Sequence, residues 1–254
     1  MIELKGPREL AAMVEAGRIV GEILEVLARE ACPGMRTRDL DARAAALMKT
    51  RGAAPAFKGY RGFPAYICTS VNEEVVHGIP GDRVLQDGDL LSVDAGVQVR
   101  GFYGDAAVTV AIGRVSPEAE RLCRVTEEAL HRGIAEARPE NRISDISRAV
   151  QTYVEAQGFG VVRQFVGHGI GSQLHQEPEV PNFAERPGYG PRLTPGMTLA
   201  IEPMVTQGRH EVEILQDGWT VVTKDGRLAA HFEHTISITE HGPEILTACR
   251  KKTP

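Results

Sequence analysis

Helix signals mark four segments of the chain, residues 7–31, 37–51, 116–138 and 144–157. In the first segment, apolar residues recur close to the helical period of 3.6. Thr37 is placed to cap the second segment, and Ser116 followed by Pro117 is typical of a helix start. Gly52 and Gly158 stand just past the ends of the second and fourth segments, where glycine commonly ends a helix. We therefore expect four helices.

Apolar runs with the composition of strands lie between and after these helices. They are residues 65–71, 90–99, 106–112, 198–205, 219–224 and 234–239. The stretch "TKDGRL", residues 223–228, predicts a tight hairpin turn. The order is two helices followed by strands, and then the same order again, which predicts an α+β fold.

The two halves of the chain also share short motifs. "VVHGIP" (75–80) resembles "VGHGIG" (166–171), "GDLLSVDAG" (88–96) resembles "GMTLAIEPM" (196–204), and "GDAAVTVAI" (104–112) resembles "FEHTISITE" (232–240). The matched polar pairs occur in the same order in both halves and are His77 with His168, Asp94 with Glu202, and Asp105 with Glu233. This repeat predicts two similar halves, about 1–115 and 116–254, related by a pseudo-twofold axis.

The composition excludes several classes of protein. Of the 254 residues, 42% are hydrophobic and 25% are charged, and the net charge of −5 provides no basic surface for nucleic acid or for a membrane anchor. No apolar run approaches the roughly 18 residues of a membrane helix. The N-terminal "MIELKGPREL" lacks the apolar core of a signal peptide. We therefore expect one domain over residues 1–254, a cytoplasmic location, and neither nucleic acid nor membrane as a partner.

The cysteines do not predict a metal site or a disulfide framework. Cys32, Cys68, Cys123 and Cys249 form no C-x-x-C pair, which argues against a zinc ribbon or a redox dithiol. Any metal bound by this chain would therefore take histidine and carboxylate ligands.

Four acidic residues lie in apolar strand sequence, where an ionised carboxylate is costly to bury. Asp94 lies within "LLSVDAGVQV", and Asp105 lies on what reads as the returning strand of a hairpin, so the two carboxylates are expected to be close. Glu202 and Glu233 repeat this arrangement in the second half. Neighbouring carboxylates repel each other unless a cation is present. Together with His168 they form a hard ligand set that suits two ions of Mn(II), Fe(II) or Co(II) better than a structural zinc.

Taken singly, each of these residues has a simpler interpretation. A lone acid is more often a solvated strand end or a salt-bridge partner. His168 is a weak signal by itself, although the glycines beside it allow a close approach of backbone or ligand. On spacing alone, His175 in "SQLHQEP" is a surface-loop histidine, and Trp219 is core packing.

At the level of whole motifs, the chain resembles the type I methionine aminopeptidases in their short bacterial form. The resemblance covers about residues 5–247 and is carried by "NEEVVHGIP", "SVDAGVQVRGFYGDAAVTV", "GHGIGSQLHQEPEVPNF", "LTPGMTLAIEPM" and "DGWTVVTKDGRLAAHFEHTISIT". It implies the pita-bread (creatinase/aminopeptidase) fold, in which two pseudo-twofold-related halves have antiparallel sheets covered by helices. The chain would then be a single catalytic domain.

The resemblance also implies a role for each site residue. The metal ligands would be Asp94, Asp105, His168, Glu202 and Glu233, with Asp105 and Glu233 bridging two ions. The catalytic residues would be His77, His175 and Glu202, and both histidines would contact the substrate. The methionine pocket would include Tyr60, Phe63, Cys68 and Trp219. Phe57, Phe63 and Leu174 differ from the residues familiar at these positions in the family, so the shape of the pocket is expected to differ.

The implied function is removal of the N-terminal methionine from nascent proteins, with a preference for a small second residue. The cofactors would be two divalent ions, Co, Mn or Fe(II), with Zn possible as a substitute. The substrates would be N-terminal methionine peptides, met by a monomer in transient association with the ribosome. The alternative is an X-Pro aminopeptidase or prolidase of the same fold. A non-catalytic binding protein and a metal-free amidinohydrolase of the same architecture are further alternatives.

Overall fold

The helices form where the sequence predicts them, each ending within two residues of its expected bounds. The computed structural model describes residues 2–184 and 186–248, and Cys249 lies outside the described residues. The helices are α1 Pro7–Glu30, α2 Thr37–Thr50, α3 Pro117–Glu136 and α4 Ile143–Ala156. Within the described ranges, no helix combines the length and the apolar character needed to cross a membrane.

The helix caps agree with the sequence at one start and differ at another. Ser116 caps α3, and its hydroxyl accepts a hydrogen bond of 3.1 Å from the backbone N–H of Ala119. The prediction that Thr37 caps α2 is wrong, because Thr37 is already the first helical residue and Arg36 is the cap. The carboxylate of Asp39 accepts a hydrogen bond of 3.1 Å from the backbone N–H of Arg36. The N–H of the capping residue is therefore satisfied by a side chain from the first turn of the helix.

Strands, most of them short, lie between and after the helices in the described chain. They are β1 Ala54–Pro55, β2 Ile67–Val71, β3 Glu74–Val76, β4 Leu90–Val99, β5 Phe102–Ala111, β6 Gly160–Val161, β7 Gly167–Gly169, β8 Gln176–Val180, β9 Thr198–Ile201, β10 Met204–Thr206, β11 Val212–Ile214, β12 Val221–Thr223, β13 Ala229–His231, β14 Glu233–Thr239 and β15 Gly242–Ile245. The run at 90–99 matches β4 at both ends. The runs at 65–71, 106–112 and 234–239 correspond to β2, β5 and β14.

The main sheet is antiparallel and nearly symmetric about its centre. Its strand order is β1-β4-β5-β14-β9-β7-β8, with β2 also paired to β4 and β15 to β14. The β4–β5 hairpin on one side of the centre corresponds to the β9–β14 pair on the other, and β2 on β4 corresponds to β7 on β9. The central pair β5–β14 joins the two units. This order confirms the predicted pseudo-twofold arrangement.

Each half buries its own apolar core between the sheet and a helix pair. In the first half, Leu27 of α1 and Leu40 of α2 are buried together with Val93 of β4. In the second half, Leu122 of α3 is buried with Ile236 of β14, among residues that α4 and β9 also supply. The helices therefore cover one face of the sheet, which confirms the α+β pita-bread architecture.

Two strand predictions need correction. The stretch "TKDGRL" does turn, with the backbone N–H of Gly226 donating to Thr223 O over 3.2 Å. It is not a hairpin, because β12 pairs with β3 and β11 whereas β13 pairs with β10. The run at 198–205 is also not one strand, since pairing breaks between β9 and β10 at Glu202 and Pro203. Proline has no N–H to donate to a ladder, and the break turns Glu202 out of the regular strand.

Candidate metal centre and active site

The acidic residues meet because of the register of neighbouring strands. Asp94 on β4 lies opposite Ala107 on β5, and Ala107 lies opposite Glu233 on β14. These three positions form one row across the sheet and share a face. Asp105 stands two residues before Ala107 and therefore projects from the same face. Glu202 follows β9, the strand beside β14, and completes the set.

One cavity is lined by every residue that the sequence predicts for the site. Its lining includes Tyr60, Phe63, Cys68, His77, Asp94, Asp105, His168, His175, Glu202, Trp219 and Glu233. Phe57 and Leu174 line it too, as does Arg61, which the sequence analysis did not predict. Phe57 and Glu233, which are 176 positions apart in the chain, thus face a single space.

The donor atoms of this cavity fit a divalent cation. Ligand atoms of Asp105, His168 and Glu233 lie within 4.8 Å of one another. Asp94, Asp105 and Glu233 each have a buried carboxylate oxygen without a hydrogen-bond partner. Unpaired buried carboxylate oxygens are costly, and a bound cation removes that cost. Four carboxylates with one imidazole are a hard donor set of the kind that Mn(II), Fe(II) and Co(II) accept.

Burial and mutual repulsion shift the pKa values of the acids upward. Burial raises the pKa of Asp94 to about 7. Burial, followed by the charges of Asp94 and Glu202, holds the pKa of Asp105 well above its ordinary value. The pKa values of Glu202 and Glu233 are raised for the same reasons. In the absence of a cation, this cluster therefore retains protons that isolated carboxyl groups would lose.

His168 is held by a backbone with no space for side chains beside it. A Cβ added to Gly167 would clash with the carbonyl of Ala200, and one added to Gly169 would clash with the carbonyl of Glu177. The two glycines therefore allow β7 to fit between β8 and β9. His168 Nδ1 lies 2.9 Å from Gly169 O, so Nδ1–H donates there and Nε2 keeps its lone pair for a metal. Burial lowers the pKa of His168 to about 4, which keeps the ring neutral.

Glu202 lies between two imidazoles. Its Oε1 is 3.5 Å from His168 Nε2, and its Oε2 is 3.7 Å from His231 Nε2. His231 is a residue that the sequence reasoning missed. A histidine in an apolar run is usually a satisfied core residue, and the distance to Glu202 becomes visible only after β10 and β13 have paired.

His175 projects into the cavity from the segment between β7 and β8. Its Nδ1 is 3.0 Å from the hydroxyl of Tyr60, and the two rings are stacked with centroids 5.3 Å apart. The ring also lies 4.1 Å, between centroids, from that of His168. Burial, and then the proximity of His168, lowers the pKa of His175 to about 3. This histidine is therefore neutral at ordinary pH. It is an exposed loop residue, as its spacing predicts, and its ring also lines the cavity.

His77 has an unusual backbone conformation beside the same cavity. Its φ of 61° is left-handed, which is uncommon for a residue other than glycine and often occurs at functional sites. The imidazole makes edge contacts with Phe165, at 5.7 Å between centroids, and with Trp219, at 6.4 Å. Burial lowers the pKa of His77. The ring is thus held by aromatic packing at the wall of the cavity.

Aromatic and apolar side chains form the remaining wall. Phe63 and Trp219 make an edge-to-face contact with centroids 5.1 Å apart. Cys68 lies opposite Asp94 on the paired strand, and burial raises the pKa of its thiol well above the ordinary value. The cavity volume is about 140 Å³, well below the roughly 300–1,000 Å³ of pockets for drug-sized ligands. It therefore fits one side chain rather than a whole peptide.

The sheet register does not support the predicted equivalence of His77 and His168. His168 lies opposite Ala200 on β9. The alignment of residues 88–96 with residues 196–204 places Ser92 of β4 at the position of Ala200, and Ser92 lies opposite Ser70. The place of His168 is therefore taken by Ser70 in the first half. His77 is better compared with His175. His77 directly precedes Gly78, whose carbonyl accepts a hydrogen bond from the backbone N–H of Thr69 on β2. His175 directly precedes Gln176, which pairs with Gly169 on β7.

Known proteins with the same fold and similar sequence identify the family. Residues 11–240 match the family model described as metallopeptidase family M24. The chain is 54% identical to the methionine aminopeptidase of Clostridium perfringens over 247 residues, covering 97% of this chain and 99% of that protein. It is equally similar, at 54% over 247 residues, to methionine aminopeptidase 1 of Bacillus subtilis.

Solved structures agree with these matches. The methionine aminopeptidase of Thermotoga maritima superposes with a TM-score of 0.96 at 46% identity, covering 98% of this chain and 100% of that one. The prolidase of Pyrococcus furiosus shares the fold at a TM-score of 0.80 but only 22% identity, and 66% of its length is covered. The chain therefore belongs to metallopeptidase family M24, among its methionine aminopeptidases.

Proposed function

We propose that this chain is a metal-dependent aminopeptidase that removes the N-terminal methionine of nascent proteins and prefers a small second residue. The observation that carries the proposal is the joining of an acidic cluster and a small apolar pocket in one cavity. The relatives named methionine aminopeptidase match nearly the whole chain. The prolidase and the X-Pro aminopeptidase of solved structure are about one-fifth identical to this chain, which shows a common fold alone.

The metal ligands in this proposal are the residues that converge on the acidic cluster. Asp94, Asp105, His168, Glu202 and Glu233 would hold two divalent ions, and Asp105 and Glu233 would be the ligands common to both. The unpaired oxygens of three of these acids support the assignment. Divalent ions held here would supply a nucleophile near neutral pH by lowering the pKa of a water molecule. The identity of the ions, Mn(II), Fe(II), Co(II) or Zn, is part of the proposal.

Glu202 is the residue that we assign to proton transfer. Burial, with the charge of Asp94 as a second cause, raises the pKa of Glu202 well above its ordinary value. A carboxyl group with a raised pKa can both take and return a proton near the working pH. Glu202 would accept a proton from the attacking water and deliver it to the leaving amine.

The two histidines that line the cavity are assigned to the substrate. If the Tyr60 hydroxyl donates a hydrogen bond to His175 Nδ1 across their 3.0 Å contact, then the single N–H of the neutral imidazole is at Nε2. That N–H can donate to the oxygen of the scissile carbonyl as it gains negative charge. His77, held against Trp219, would contact the peptide at the opposite wall.

The apolar pocket accounts for the choice of methionine. An unbranched thioether side chain packs well against aromatic rings, and Tyr60, Phe63, Cys68 and Trp219 are assigned to this pocket. A second depression adjoins the cavity and shares Arg61, His168 and His175 with it. That depression is also lined by Glu3, Gln173, Gln176, Glu177 and Glu179. The peptide that follows the methionine would leave the site by this route.

The decisive experiment measures peptide cleavage by the chelated protein after single metals are restored. We expect release of methionine from Met-Ala-Ser with Mn(II), Co(II) or Fe(II), and no cleavage of Ala-Pro peptides. Cleavage of Ala-Pro in preference to Met-Ala-Ser would favour the prolidase function. No cleavage of Met-Ala-Ser with any of these metals or with zinc would refute the proposal.

The remaining parts of the proposal concern the setting in which the enzyme works. We propose that residues 1–254 act as a single catalytic domain, with halves at about 1–115 and 116–254. The protein would work as a monomer in the cytoplasm and meet nascent chains through a transient association with the ribosome. Sedimentation and ribosome co-pelleting measurements test these points.

A further inference from the structure

His231 has a backbone that is clamped and a side chain that is buried without a partner. The residue is 2% exposed and ends β13, where it pairs with Met204 of β10. Its backbone N–H donates to Thr109 Oγ1 over 2.9 Å, and its carbonyl accepts from the same hydroxyl over 2.8 Å. Ser92 lies 2.8 Å from that hydroxyl in turn. The backbone of His231 is therefore fixed from three strands, and the low exposure of the residue confines its imidazole.

The imidazole is directed at the carboxylate of Glu202. Nε2 of His231 is buried without a hydrogen-bond partner and lies 3.7 Å from Glu202 Oε2. This separation is too long for a hydrogen bond. A buried N–H that lacks an acceptor is costly, however, and a carboxylate accepts strongly. A small movement of either side chain would close the gap.

The two oxygens of Glu202 face different groups. Oε1 lies on the side of His168, at 3.5 Å from its Nε2, and Oε2 lies on the side of His231. A carboxylate that binds metal through one oxygen needs its other oxygen to be held if its orientation is to be fixed. His231 is in position to hold that second oxygen.

We propose that His231 is a positioning residue that donates Nε2–H to Glu202 Oε2 and thereby directs Oε1 toward the metal cluster. The inference rests on the proposed function in one respect, since Glu202 is taken as metal ligand and proton carrier. His231 itself does not touch the substrate. Residues that orient a metal ligand typically contribute about 10–100-fold to metal affinity or activity.

The test compares replacements that keep or remove the donor at similar length. His231→Gln retains an N–H donor, whereas His231→Met removes it and still fills the space. We expect kcat to fall about 10–100-fold in His231→Met with KM changed less than threefold, and to recover to within about fivefold of wild type in His231→Gln. His241→Ala, which removes an exposed imidazole away from the cavity, is the control and should leave both constants unchanged.

A second measurement separates positioning from a merely structural role and does not depend on activity. Calorimetric titration of Mn(II) into the chelated proteins gives metal affinity for wild type, His231→Met, Glu202→Gln and the double variant. If His231 acts through Glu202, His231→Met weakens binding about tenfold or more in wild type but less than twofold in the Glu202→Gln background.

Three outcomes would overturn the inference. One is an equal loss in His231→Gln and His231→Met, and another is a full additional loss of metal affinity in the double variant. If wild type fails to cleave methionine peptides, the proposed function fails, but the calorimetric cycle still reports whether His231 and Glu202 are coupled. An unchanged His231→Met protein, active and with full affinity, would also remove the role.

Discussion

Replacing Asp94 by asparagine should change how the stability of the metal-free protein depends on pH. Asp94 is half-buried with one carboxylate oxygen shielded from solvent, and its pKa is raised from an ordinary value of 3.8 to about 7. In the unfolded chain the carboxyl group ionises at its ordinary pKa. The folded protein therefore binds the proton more tightly, and stability from this group is present at low pH and lost as the pH rises through about 7. Asparagine has nearly the same shape and does not titrate.

The magnitude follows from the two pKa values. Integrated between the folded and unfolded states, the destabilisation from Asp94 is about 4 kcal/mol at pH 8 and about 2 kcal/mol at pH 5. The stability of Asp94→Asn relative to wild type should therefore increase by about 2–3 kcal/mol between pH 5 and pH 8. Buried neutral histidines such as His168 and His231 change stability in the opposite direction. They are present in both proteins, so their contribution largely cancels in the difference.

Urea unfolding in chelator, followed by circular dichroism at pH 5 and pH 8, measures this difference. Asp82→Asn, an exposed acid paired with Arg36, is the control and should shift by no more than about 0.5 kcal/mol. Added Mn(II) should reverse the order at pH 8, because the cation stabilises the ionised carboxylate of wild type. A stability difference between Asp94→Asn and wild type that stays constant from pH 5 to pH 8 would refute the reasoning.

Three further predictions address the site directly. His175→Ala should lower kcat about 10²–10³-fold, as expected for one oxyanion donor, and undiminished turnover in steady-state assays would contradict that role. Asp105→Asn and Glu233→Gln should each lose bound metal together with activity, and elemental analysis showing normal metal content in both would contradict the proposal that these two acids hold the ions. In Gly96→Ala, the new Cβ would lie 2.7 Å from an aromatic carbon and 3.2 Å from Asp105 Oδ1, so urea unfolding should show a loss of about 1–3 kcal/mol. Gly81→Ala, whose Cβ meets nothing closer than 3.8 Å, should be nearly neutral.

The repeat was the most informative sequence feature and also the source of one error. Asp94 and Glu202 end up on the equivalent strands β4 and β9 or directly after them, as their motifs predict. The shared "HGI" letters, however, predicted that His77 is equivalent to His168. The strand-pairing register shows instead that Ser70 is equivalent to His168. Three-letter matches carry no register, whereas hydrogen-bonded partners determine it residue by residue.

By itself, the sequence determined the helices, the long β4 strand and the residue types of the acidic cluster. These follow from local signals, such as the cap at Ser116, and from the cost of placing acids in apolar strands. The tertiary structure alone decided the partner of each side chain. The contact of His231 with Glu202, the stacking of His175 on Tyr60 and the separation of β12 from β13 all depend on pairings between distant segments. A local pattern specifies which face of an element is buried, and only packing specifies what that face meets.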